Sequence, residues 1–127
     1  MRILVCGGRD FSDRNFIFKT LAKLYLDEWN DLVDSSGENL TVIAGKAKGV
    51  DTFAEQWAKC SGFNFLGFPA LWKLHLNSAG PIRNQQMIDE GKPDLVVAFP
   101  GGKGTANMIS KAKKAGIPVR EIVYDKA

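Results

Sequence analysis

The chain has 127 residues, of which 45% are hydrophobic, 24% charged and 10% aromatic, a balance that excludes disordered, collagen-like and coiled-coil chains. Folding at this length hides roughly two-thirds of the surface of the extended chain, enough for one core and too little for two, so a single domain over residues 1–127 is expected. A net charge of +3 is too small to point to nucleic acid, but it is unevenly placed: residues 1–63 hold 8 basic and 9 acidic groups, residues 64–127 hold 9 and 5.

In chain order, Ile3-Leu4-Val5-Cys6 is a short apolar run ended by Gly7-Gly8 and reads as a strand buried on both faces. Ser12 or Asp13 then caps a helix reaching about Trp29, with Ile17, Leu21, Leu24 and either Glu28 or Trp29 at helical spacing. Residues 31–39, with Asp34, Ser35, Ser36 and Gly37, read as a loop. Leu40 to Ala44 is a second strand ended by Gly45. Thr52 and Glu55 then have the spacing of a capping box for a helix with Phe53, Ala54, Trp57 and Ala58 on its apolar face, closed by Gly62.

Phe63 to Phe68 is a third strand, followed by an irregular stretch, Pro69 to Gly80, and a helix opened by Pro81. Asp94 to Phe99 is a fourth strand, Thr105 to Ala115 a helix ended by Gly116, and Pro118 to Tyr124 a fifth strand. Strands separated by helices pair in parallel through right-handed crossovers. The predicted fold is therefore α/β, a Rossmann-like three-layer sandwich with a five-stranded parallel sheet of order 3-2-1-4-5. The reversal of winding in that order opens a crevice at the carboxyl ends of the first and fourth strands, where ligands bind.

Both main glycine loops fall at that crevice. Pro100-Gly101-Gly102-Lys103-Gly104-Thr105 joins a strand to a helix, so its backbone N–H groups can converge on an anion while Lys103 adds charge; the alternative is a tight turn capped by Thr105. Gly7-Gly8-Arg9-Asp10 offers a phosphate clamp in Arg9 and a sugar acceptor in Asp10, or else a plain surface ion pair. Gly45-Lys46-Ala47-Lys48-Gly49-Val50-Asp51 is a third loop at the same edge, with Lys46 and Lys48 as anion contacts and Asp51 as a cap or sugar ligand. Arg83 and Asn84 follow Pro81, and an arginine in a first helical turn opposes the helix dipole, which points to a bound anion or a carboxylate partner. Trp72 can stack on a base or anchor its loop, and His75 reads as polar surface.

Other chemistries are disfavoured. Gly45-Lys46 lacks the earlier glycine and the following Ser or Thr of a P-loop, and Gly7-Gly8-Arg9-Asp10 lacks GxGxxG spacing. A single histidine leaves no metal cluster, so no metal and no cofactor is expected. Cys6 and Cys60 form no CxxC and read as reduced core thiols. With no run of about 18 apolar residues and no signal-peptide pattern, a cytoplasmic, unanchored protein is expected.

The residues of these loops, Cys6 to Phe11, Ile43 to Gly45, Gly49 to Asp51, Gly80 to Asn84 with Met87, and Pro100 to Thr105, together resemble the YspA-type (cpYpsA-related) branch of the SLOG superfamily, a branch frequent in phage genomes. Its better-known relatives are the LOG phosphoribohydrolases, which cleave the base from a nucleoside monophosphate. Arg83 with Met87 matches those relatives' RxxxM segment and Pro100 to Thr105 their PGGxGT, but the ninth position, a catalytic Glu in that motif, is Met108 here. Losing such a carboxylate typically costs about 10²–10⁴-fold, so LOG-type hydrolysis does not simply carry over, and Asp10, Asp51 and Arg83 are the remaining catalytic candidates.

The resemblance and the loops together predict binding of a nucleotide or nucleotide-derived phosphate ligand, through Gly7, Gly8, Arg9, Asp10, Gly45, Lys46, Asp51, Trp72, Arg83, Asn84, Gly101, Gly102, Lys103, Gly104 and Thr105. A hydrolase or transferase acting on an N-glycosidic bond is the alternative, and single-stranded nucleic-acid binding ranks third. The dimeric LOG relatives and the aromatic residues Phe16, Phe18, Tyr25, Trp29, Phe65 and Phe68 suggest a homodimer or larger, with no membrane partner.

Overall fold

The computed structural model describes residues 1–30 and 40–124; the predicted loop over residues 31–39 lies outside them. Five parallel strands run in the order β3-β2-β1-β4-β5: β1 (Arg2–Cys6), β2 (Thr41–Gly45), β3 (Asn64–Phe68), β4 (Leu95–Ala98) and β5 (Val119–Glu121). Among the described residues the α-helices are α1 (Arg14–Leu24), α2 (Val50–Ser61), α3 (Trp72–His75), α4 (Ala79–Asp89) and α5 (Lys103–Lys114). The three-layer α/β architecture and the strand order are those predicted, because the apolar runs are long enough for strands and too short for helices.

Alternation along β1 divides the core. Ile3 and Val5 join Ile17, Leu21, Val42, Ala54 and Trp57 beneath α1 and α2, whereas Leu4 and Cys6 join Ile43, Met87, Val96, Met108 and Ala112 beneath α4 and α5. At roughly 1.5–3 kcal/mol per fully buried large aliphatic side chain, the two layers supply most of the favourable free energy of folding.

Several boundaries differ from the sequence reading. Asp13 caps α1 by accepting a hydrogen bond from the Phe16 N–H at 3.0 Å, but the helix stops at Leu24 and one π turn, Tyr25–Trp29, follows. A π turn inserts one residue into the helical period, so Trp29 and not Glu28 reaches the core. Glu28 is left at the surface to pair with Arg120 of β5.

The capping box does not form. Helix α2 begins at Val50, which makes Thr52 its third residue; the Thr52 hydroxyl donates to the Ala47 carbonyl at 2.9 Å, and Glu55 pairs with Lys46 and Lys59, each at 2.6 Å. The N-cap is Gly49 at φ +76°, because a Cβ there would stand 2.3 Å from the Gly8 carbonyl oxygen and 2.6 Å from that of Arg9. Gly62 ends α2 in the left-handed conformation, as predicted.

Helix α4 starts two residues before Pro81, which still lies in the first turn, where a missing N–H costs nothing. The irregular stretch before it contains α3 and a 3₁₀ turn, Leu76–Ser78. Strand β5 is shorter than predicted because the chain leaves the sheet to seat Tyr124 against Phe11 and Phe16, ring centroids 4.8 and 4.7 Å away, with its hydroxyl donating to Asp13 at 2.6 Å. Cys6 is buried as expected, but Cys60 is exposed near the end of α2 and is no core thiol. Of the aromatics that suggested an oligomer, Trp29 and Phe68 are buried, Tyr25 packs on Phe63, Phe18 lies under the Arg14 guanidinium and Phe65 under the lysines of α2 and its loop. No helix among the described residues is long and apolar enough to cross a membrane.

Candidate functional site

The loops leaving β1, β2 and β4 meet at one end of the sheet. The Gly8 N–H donates to the Pro100 carbonyl at 2.8 Å, and the Val50 N–H donates to the Gly8 carbonyl at 3.3 Å, so Gly7-Gly8-Arg9-Asp10 is held between the other two loops. Backbone-to-backbone contacts set this arrangement at the carboxyl ends of β1 and β4.

Because α4 starts at Ala79 and not at Pro81, Arg83 is its fifth residue, in the second turn and not in the first-turn position expected from the sequence, and from there it reaches this edge. Its guanidinium passes over Gly45 so closely that a Cβ there would stand 2.2 Å from Nη1, and the same Cβ would stand 2.7 Å from Oδ2 of Asp51. Both atoms lie where a Cβ would project, so glycine at the end of β2 is what leaves room for the cation and the carboxylate together. Nε of Arg83 donates to Oδ1 of Asn84 at 3.1 Å and Nη1 to the Phe68 carbonyl at 3.4 Å. Those two contacts engage part of a five-donor fork.

Asn84 is buried and its amide donates to the Gly104 carbonyl and to Oδ1 of Asn107, both at 3.1 Å. It thereby ties the Arg83 guanidinium to the start of α5, a positioning role that its donors leave little capacity to exceed. Gly102 is the N-cap of α5 with no side-chain cap, Lys103 begins the helix, and Gly101, Gly102, Lys103 and Gly104 are exposed. The first-turn N–H groups of a helix have no partner within it and carry the positive end of its dipole. Thr105 is buried against Gly101 instead of capping the helix.

Asp51 is 8% exposed. Burial pushes its carboxyl up from the usual 3.8 to about 6, against the opposing pull of Arg83, of the Ala47 N–H that donates to Oδ2 at 3.3 Å, and of Arg9. Burial in turn lowers the Arg83 guanidinium, with Asp51 working the other way. The Cys6 thiol at the end of β1 is pushed up to about 12 by burial and by the nearby Asp51, so it is an inert thiol and no nucleophile.

The predicted residues divide accordingly. Gly7, Gly8, Gly45, Asp51, Arg83, Asn84 and the Gly101-to-Thr105 segment converge, and Arg9 lies near enough to act electrostatically on both Asp51 and Arg83. Asp10 is exposed at the rim. Lys46 turns away along the outside of α2 into its pair with Glu55, its ammonium 5.6 Å from the Phe65 ring centroid, while Lys48 is exposed. Trp72 is 48% exposed and its ring lies over Gly80, one turn before Arg83. Two contributors escape sequence reading: the Phe68 carbonyl, which has no side-chain signature, and Asn107, whose position one turn into α5 is the only hint.

Met108, where the LOG motif has its Glu, is 1% exposed and packed in the core beneath α4 and α5. The profile of the YspA, cpYpsA-related SLOG family matches residues 1–75, which include β1, β2, β3 and two of the three site loops. The chain is also 36% identical, over 127 aligned positions and 93% of each protein, to the Gene 61 protein of Mycobacterium phage D29. On the family match over residues 1–75 and the likeness to this relative along 93% of both proteins, the chain belongs to the YspA, cpYpsA-related SLOG family.

Proposed function

We propose that the chain binds a nucleotide or nucleotide-derived phosphate ligand in the crevice between the ends of β1 and β4, with the phosphate on Arg83 and on the N-terminal turn of α5. SLOG membership is consistent with nucleotide-related ligands. The observation that carries the reading is the setting of Arg83: half-buried, steered by Asn84 onto Gly45, and left with donor capacity where three loop backbones meet. A half-buried arginine is unfavourable without an anion nearby, and Asp51, itself short of solvent, answers only part of that need. Arg9 and Lys103, exposed at the rim, add charge for a second phosphate or for attraction on approach.

Binding is favoured over LOG-type hydrolysis because the motif's acid position is filled by a core methionine. The test is thermal shift of the purified chain against AMP, ADP-ribose and cyclic nucleotides, with Arg83→Ala and Lys103→Ala alongside. Stabilisation of the parent that weakens in both variants is the expected outcome. No stabilisation by any nucleotide would refute the proposal, and chromatographic release of free base would replace it with the hydrolase reading.

A further inference from the structure

Resting on that reading of the site, we propose that Asp51 makes anion binding proton-coupled: as a dianion settles on Arg83, the Asp51 carboxylate takes up a proton, so the site binds its ligand together with H⁺. The argument begins with placement. Asp51 is among the three buried polar residues of the described core, and its oxygen and the Arg83 guanidinium flank one glycine. Among the described residues, Arg83 from α4 and Arg9 from the β1 loop favour its charge, the Ala47 N–H of its own loop does the same, and the Cys6 thiol of β1 stays protonated and contributes none. Lys46, on that loop, is committed to Glu55.

A phosphate on Arg83 takes for itself the field that keeps Asp51 ionised. It also sets a second negative charge beside a carboxylate that has almost no contact with water. Like charges sharing a desolvated site do not both persist, and the cheaper response is protonation of the carboxylate. The carboxyl already stands at about 6 in the free protein, so the proton required is available near neutral pH. Once neutral, Asp51 can donate to a ligand oxygen, turning a repulsion into a hydrogen bond.

Sulfate is the probe of choice, because it remains a dianion across pH 5–8 and its own ionisation cannot imitate the effect. Titration calorimetry of the intact chain at pH 5, 6, 7 and 8, in buffers of different ionisation enthalpy, reads both affinity and protons taken up. The expected dissociation constant is flat below about pH 6, where Asp51 is already protonated, and rises above it by up to about tenfold per pH unit, with roughly 0.4 proton or more taken up per sulfate at pH 7. In Asp51→Asn the slope and the uptake vanish and binding at pH 8 becomes the tighter of the two. Proton uptake in the parent is measured without any variant, so a misfolded Asp51→Asn leaves the test intact. Sulfate that binds the parent with no proton uptake and no pH slope overturns the coupling while leaving the anion site standing. Absence of binding by sulfate and by AMP at every pH overturns the site and the coupling with it.

Discussion

Replacing Asp51 by Asn tests the electrostatics of the crevice without any ligand. The carboxyl is raised from 3.8 to about 6 by burial, a displacement worth about 3 kcal/mol at roughly 1.4 kcal/mol per pH unit. The sign follows from linkage: between those two values the folded chain binds more protons at this position than the unfolded chain, so stability falls as pH rises through the window. Above about 6 the burden of the buried charge is fully present, and below about 4 it is gone. Asn mimics the neutral acid and can still accept from the Ala47 N–H, so the variant should lack this dependence. Urea denaturation of both proteins at pH 4.5, 5.5, 6.5 and 7.5 gives the difference in unfolding free energy, from which all other titrating groups cancel. That difference should move by about 2 kcal/mol in favour of Asp51→Asn between pH 4.5 and pH 7.5, since part of the effect is already present at the acid end. A difference that stays constant within about 0.5 kcal/mol over the same range would refute the claim that Asp51 is a desolvated carboxylate.

Gly45→Ala inserts a Cβ 2.2 Å from the Arg83 guanidinium, which can yield at its flexible end; the chain should stay folded by circular dichroism while affinity for AMP falls tenfold or more, the loss of about one charge-assisted hydrogen bond. Gly49→Ala meets two carbonyl oxygens at a positive φ and should cost about 3 kcal/mol or more in urea unfolding, whereas Gly62→Ala, also left-handed but with open space around it, should cost about 1–2 kcal/mol. Met108→Glu should destabilise the fold by about 4 kcal/mol at pH 7 and release no base from any nucleotide, because a carboxyl in that core layer must forgo ionisation.

Much of the fold could be read from local pattern because a doubly wound sheet writes itself into short, two-face-buried apolar runs: Ile3 to Cys6, Val42 to Ala44 and Val96 to Phe99 are continuous where a half-exposed strand would alternate. Handedness and winding rules then leave few orders, and the glycine loops fall at the strand ends without further assumption. What escaped were features decided by single long-range contacts. The exit of α1 depends on Trp29 finding the core through a π turn, which hydrophobic spacing describes equally well with Glu28. The loop of Lys46 puts it with the crevice in sequence, yet the Glu55 carboxylate nine residues later, just past the first turn of α2, captures it. Asp51 and Arg83 are 32 positions apart in sequence, and nothing local states that Gly45 will bring them face to face. Only the third dimension supplies that pairing, and with it the burial that distinguishes Asp51 from the exposed Asp10.

Phosphate binding in this crevice depends above all on Arg83. Titration calorimetry of AMP into the parent and into Arg83→Gln at pH 6 tests it most directly, because Gln keeps much of the side chain's length and polarity and loses only the charged fork. Saturable binding to the parent, weakened about tenfold to a hundredfold in the variant, is the predicted result, the loss expected for one charge-assisted contact of about 1.5–3 kcal/mol. Equal affinity in the two proteins, or no saturable binding to the parent at all, would contradict it.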